Sequence, residues 1–180
     1  CTDALTRFYR TYCDTACCAE LMGPASVVFH SLQAFEGSPA AALPGTATTL
    51  QTVPVDHCYD AHALVLAGSN WRIAFSGDCR PSSALAAHRP APDVLVHEAT
   101  FAVGLESDAL AKRHSTVAEA IGVAAQMHAR FLLLTHFSQR YSHLFPAMPP
   151  QSTPPQVPLM CAFDHMVVTH RTLPRLPAFV

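Results

Sequence analysis

The apolar positions of this chain follow two successive patterns, and the change between them predicts its architecture. Residues 26–35 (SVVFHSLQAF) and 46–55 (TATTLQTVPV) are rich in β-formers, and the stretch EGSPAAALPG between them reads as a loop, so two strands are expected. Next, ALVLAGSNWRIAFSGD sets two apolar runs on either side of Gly68-Ser69-Asn70, which predicts a hairpin by ordinary turn chemistry. Beyond residue 80 the spacing changes. PSSALAAH reads as a short helix, DVLVHEATF (93–101) as a buried strand, and STVAEAIGVAAQMHA (115–129) as a helix with Val117, Ile121, Ala124 and Met127 or His128 recurring at helical period. Thr116 and Glu119 stand three apart at its start, the spacing of a capping box. RFLLLTHF (130–137) is a continuous β-type run, so strand, helix and strand follow in order and predict a right-handed crossover onto a buried sheet. MPPQSTPPQVP (148–158) reads as a proline-rich loop and CAFDHMVVTH (161–170) as a last strand, whereas residues 1–25 show only a short helix before the Gly23-Pro24 break. Hairpins followed by alternation point to an α/β sandwich, helices packed outside mixed sheets, with polar chemistry on the loops at strand ends.

Composition narrows the function. With 180 residues and half of them apolar, the chain has the length of one domain or of a large piece of one. Only 13% of residues are charged and the net charge is −2, so no general polyanion-binding surface is expected; a nucleic-acid partner would find its main basic grip elsewhere. Eleven histidines match eleven Lys plus Arg, which directs attention to metal or acid/base chemistry. The seven cysteines are odd in number and unevenly spread, and Cys13, Cys17 and Cys18 lack a second pair to complete a tetrahedral zinc site, so incidental thiols in a reducing compartment are expected. No apolar run reaches the length of a membrane span, and the start of the chain lacks the order of a signal peptide, so the expectation is a soluble protein without a membrane partner.

Five polar residues sit at the ends of apolar runs or at helix starts: His57, Asp78, Glu98, His114 and His136. Each alone has an ordinary reading. His136 could be a hydrogen-bonded core histidine, Asp78 a turn residue, Glu98 a cap, and His114 a helix-start residue. Together, two histidines and a carboxylate arriving separately at one sheet edge make a nitrogen and oxygen site suited to zinc. A dinuclear hydrolytic site needs roughly seven protein ligands, and this chain offers three.

The stretches VDHCYDA, FSGDCRPS, LVHEATF, AKRHST, EAIGVAAQMHA, LTHFSQRY and CAFDHMVV, in this order over most of residues 50–170, resemble the C-terminal half of the long form of tRNase Z. That family of metallo-β-lactamase-fold endonucleases trims the 3′ ends of precursor tRNAs. The resemblance implies an α/β fold of the metallo-β-lactamase αββα type, with residues 1–180 as the C-terminal portion of the nuclease domain. It makes His57 a ligand of one zinc, Asp78 the carboxylate bridging two, and His136 a ligand of the other. It also makes Glu98 and His114 a coupled proton-donating pair for the leaving 3′ oxygen. A carboxylate beside an imidazole fixes its tautomer and favours the charged form that a general acid needs. Ser138 and Arg140 would lie near the scissile phosphate, Arg140 as a two-pronged donor or else in a structural salt bridge.

There are departures from the family pattern. The HxHxDH motif is absent, His30 being the only histidine before His57. The usual Phe-Gly is replaced by His62-Ala63, with His62 expected to face solvent or support the site rather than ligate, and the basic, glycine-rich substrate arm is not recognisable. The 180 residues alone are therefore expected to be inactive, with HxHxDH supplied by an upstream half of the same protein or by a separate chain. The competing reading is a non-catalytic or split subunit serving as an assembly or scaffold component. A hydrolase of small esters or thioesters would keep the zinc but would not need HEATF paired with HST. Nucleus or mitochondrion is implied by the resemblance, with the cytoplasm left open.

Overall fold

The computed structural model describes residues 7, 11, 35, 36, 40–139, 157–169 and 171–175. Of the strand expected over 26–35 only Phe35 is among them, and it is not in a strand; of residues 1–25 only Arg7 and Thr11 are, both helical; Arg140 and residues 148–156 of the proline-rich loop lie outside them. The described strands form one seven-stranded sheet: β1 (Ala41–Ala42), β2 (Thr49–Pro54), β3 (His62–Ala67), β4 (Arg72–Phe75), β5 (Val94–Glu98), β6 (Phe131–Thr135) and β7 (Leu159–Cys161). Their spatial order is their chain order. Pairing is antiparallel from β1 to β4, as hairpins require, and parallel from β4 to β7, with helices between β4 and β5 and between β5 and β6.

Among the described residues three helices follow the hairpins: α1 (Ser83–Ala86), α2 (Glu106–Lys112) and α3 (Val117–Met127). The capping box expected for α3 is present, with the Thr116 hydroxyl accepting from the Glu119 N–H and the Glu119 carboxylate accepting from the Thr116 N–H. Its buried stripe, Val117, Ala120, Val123, Ala124 and Met127, packs with Leu95, Leu132 and Leu134 on one face of the sheet. Val94, Phe131, Leu133 and Met160 occupy the other face, with Leu173, Met166 and Val168 against them. This burial on both sides explains why β5 and β6 read as unbroken apolar runs. Towards β3 and β4 that second face opens, leaving Ile73 38% and Phe75 45% exposed.

Two local expectations are corrected, and one helix, α2, lies where none was expected. CAFDHMVVTH is not a strand throughout: β7 ends at Cys161, and a turn closed by Met166 N–H to the Phe163 carbonyl, with His165 at φ 61°, breaks the extended run. Met166 and Val168 are apolar because they fold back onto the sheet face. α2 had no periodic signature because it buries only Ala109 and leaves Leu110 64% exposed. The short β1 lies inside the stretch read as a loop, carried by the tight turn from Leu43 to Thr48 rather than by the weak β preference of alanine.

Leu134 is fully buried between sheet and α3. Leu134→Ala is expected to destabilise the protein by about 2–5 kcal/mol through lost transfer and cavity energy, read as a shift in the denaturant midpoint at unchanged slope.

Candidate functional site

Antiparallel pairing of β2 with β3 and of β3 with β4 gives β2 the same direction as β4, β5 and β6. The C-terminal ends of these four strands therefore open on one edge, where open α/β sheets place their ligands. His57 follows β2, Asp78 follows β4, Glu98 ends β5 and His136 follows β6. His114 arrives on the loop between α2 and α3. All five sequence-predicted residues meet there: ligand atoms of His57, Asp78 and His114 lie within 4.8 Å of one another, as do those of Glu98, His114 and His136.

Local backbone makes these approaches. After β4 the chain turns through Gly77 at φ 62°, where an added Cβ would also meet the His62 carbonyl at 3.3 Å, and this turn delivers Asp78. His136 itself adopts the left-handed region, φ 60°, directly after β6. A non-glycine residue held there stores about 1 kcal/mol or more of strain, which the surrounding contacts must hold in place.

Glu98 is buried, and its carboxylate accepts four hydrogen bonds: Cys79 N–H at 2.9 Å and His114 Nδ1 at 2.7 Å on Oε1, and the Thr100 N–H at 3.1 Å and hydroxyl at 2.7 Å on Oε2. Burial pushes its pKa up, but the Thr100 hydroxyl, the two backbone N–H groups and His114 outweigh that and hold it below the usual carboxylate range. Glu98 is thus an ionised acceptor that fixes His114 with its proton on Nδ1 and Nε2 free to face the edge.

The two flanking histidines are fixed similarly. His57 Nδ1 lies 2.9 Å from the Arg113 carbonyl, which can only accept, so Nδ1 carries the proton; the Arg113 guanidinium returns a bond to the His57 carbonyl at 2.6 Å. His136 Nδ1 lies 2.7 Å from the Thr100 hydroxyl oxygen. The Nε2 atoms of His57 and His136 are 4.0 and 3.5 Å from Asp78 Oδ2. His57 Nε2, His136 Nε2 and an Asp78 carboxylate oxygen thus converge, a nitrogen and oxygen donor set that zinc accepts. The Cys79 thiol does not join it: burial first, and the Glu98 charge second, push its pKa up to about 12.

His62 is neither a ligand nor solvent-facing. Its buried ring bonds Glu36 at 2.6 Å and the Asp60 carbonyl at 3.0 Å, behind the His57 loop. Ser138 lies at the edge with its N–H donating to the Thr100 carbonyl at 3.3 Å. Residues missed in the sequence are Thr100, Arg113 and Arg80. Each lies within two residues of a candidate and carries a polar side chain, but its partner is far away in sequence. Arg80 donates from its backbone to the Asp56 carbonyl and from its guanidinium to the His114 carbonyl and the Glu119 carboxylate. It ties the loops bearing His57, Asp78 and His114 to the start of α3.

Burial raises the Glu119 pKa, but the Arg80 and Thr116 hydrogen bonds reverse this and hold it below the usual range. A depressed folded pKa gives stability that is present above the unfolded value, about 4.3, and is lost as pH falls through the folded one. Wild type is expected to melt above Glu119→Gln at pH 7 and the gap to close below about pH 4, checked by thermal melts across pH.

No family model matches the chain. Zinc phosphodiesterase ELAC protein 2 of Rattus norvegicus is 40% identical over 131 residues, covering 72% of this chain and 15% of that protein. The crystal structure of a long form RNase Z from yeast superposes with a TM-score of 0.61 at 34% identity, over 72% of this chain and 19% of that one. The metallo-beta-lactamase fold protein YhfI from Bacillus subtilis gives 0.54 at 18% identity, over 73% of this chain and 52% of its own, a likeness of fold alone. The chain spans about 15% of the length of the curated relatives it matches. The matched part of the chain belongs to the tRNase Z family and is built on the metallo-β-lactamase-type fold.

Proposed function

We propose that these residues are part of the catalytic domain of a zinc-dependent endoribonuclease that removes 3′ trailers from precursor tRNA. The observation that carries this reading is the meeting, at one sheet edge, of the His57, Asp78 and His136 cluster with the Glu98–His114 pair. His57 Nε2, the Asp78 carboxylate and His136 Nε2 would hold zinc. When bound, zinc supplies a Lewis acid that lowers the pKa of water and stabilises the charge that develops on the phosphate. His114, held by Glu98 through Nδ1, presents Nε2 to the leaving 3′ oxygen and donates a proton there, so that the tRNA ends in a 3′-hydroxyl. The fixed negative charge of Glu98 offsets the imidazolium before transfer and keeps the ring in register.

The remaining ligands would come from an HxHxDH-bearing segment, on an upstream half of the same protein or a separate chain. The open sheet face around Ile73 and Phe75, with partly buried Leu64 and Leu66 beside them on the paired strands, supports this, since a second sheet would cover it. A net charge of −2 agrees with tRNA being gripped mainly by other parts of the assembly.

The test uses the full-length protein, with zinc counted per chain and cleavage of a precursor tRNA followed directly. His114→Ala is expected to keep zinc while lowering kcat by about 10²–10⁴-fold, whereas Asp78→Ala and His136→Ala lose zinc as well. A zinc-replete wild type that leaves precursor tRNA intact would sink the reading and favour the scaffold alternative.

A further inference from the structure

One hydroxyl touches both functional halves of the edge. Thr100 Oγ1 lies 2.7 Å from Glu98 Oε2, 2.7 Å from His136 Nδ1 and 3.3 Å from His114 Nδ1. It has one proton to give, and the ionised Glu98 carboxylate can only accept, so that proton goes to Oε2. The bond to His136 must then run the other way, with Nδ1–H donating to the Thr100 oxygen. The His114 Nδ1 proton is already committed to Glu98 Oε1 at the shorter distance of 2.7 Å. The Thr100 backbone is itself pinned, its N–H on Glu98 Oε2 at 3.1 Å and its carbonyl accepting from the Ser138 N–H at 3.3 Å.

We propose that Thr100 is a positioning residue whose hydroxyl sets the tautomer and ring orientation of His136 and couples them to the Glu98–His114 pair. The inference rests on the proposed metal site and deepens it. His136 needs such a partner more than the other histidines do. Its side chain is 47% exposed and its backbone is left-handed, so neither burial nor ordinary strand geometry holds the ring. With its proton drawn onto Nδ1, the neutral ring turns the Nε2 lone pair towards Asp78 Oδ2, 3.5 Å away. Without the hydroxyl the proton can sit on either nitrogen, and the ring can turn away from Asp78. Glu98 at the same time loses one of its four donors. The metal side of the edge and the proton-donating side thus share a single oxygen atom.

Thr100→Val removes the hydroxyl at nearly constant shape, and Thr100→Ser restores it. In the full-length protein, cobalt(II) serves as the probe, with its visible bands reporting ligand geometry and its binding isotherm reporting affinity. Thr100→Val is expected to weaken cobalt binding by about 10–100-fold, to alter the bands, and to lower kcat on precursor tRNA with KM little changed. Thr100→Ser is expected to return all three towards wild type. A Thr100→Val protein with wild-type cobalt affinity and spectrum overturns the inference, as does a serine variant that folds but behaves like valine. Wild type that binds no cobalt overturns the reading of the site itself, and the inference with it.

Discussion

The buried negative charge of Glu98 is the constraint around which the sheet edge is arranged. A carboxylate taken out of water without partners costs several kcal/mol, so the loops that meet here are obliged to bring donors. They come from three separate segments: Cys79 after β4, Thr100 after β5, and His114 before α3. Satisfying the charge therefore fixes the relative positions of the Asp78 turn, the HEATF segment and the HST loop. Positioning of the site and stability of the edge arise from the same hydrogen bonds.

A second tier keeps those loops in place. The Ser115 hydroxyl donates to the Cys79 carbonyl at 2.7 Å, the Glu98 N–H donates to the Ser76 hydroxyl at 3.0 Å, and the Arg80 guanidinium bridges the His114 carbonyl and Glu119. Glu119 also closes the capping box of α3, whose apolar stripe is anchored on the core. The N-terminus of a helix packed on the sheet thereby becomes the support for a catalytic loop several residues upstream.

Much of this was legible in the sequence, because it depends on local patterns. The two apolar runs around Gly68 gave the hairpin, the Thr116 and Glu119 spacing gave the start of α3, and the strand ends and one helix start carried the five residues that converge. What stayed hidden depends on contacts across the chain or on the absence of periodicity. The Thr100 hydroxyl meets His136 over a separation of 36 residues and Arg113 clasps His57 over 56, and nothing in a lone threonine or arginine announces such a partner. α2 escaped notice because it buries only one of its residues, Ala109. The run after Cys161 misled because Met166 and Val168 are apolar for packing, not for strand pairing.

The sheet's plain ordering, each strand beside its neighbour in sequence, bears on how the edge comes into being. Such an arrangement can zip progressively, every new strand closing only a modest loop onto the last. His57 precedes the third strand, and His136 joins only once the sixth has docked. A cation gripped by both would therefore select the completed sheet over every partly zipped one, and its binding energy would become folding energy. The metal would act in such a chain as a late proofreader of assembly as well as an agent of chemistry.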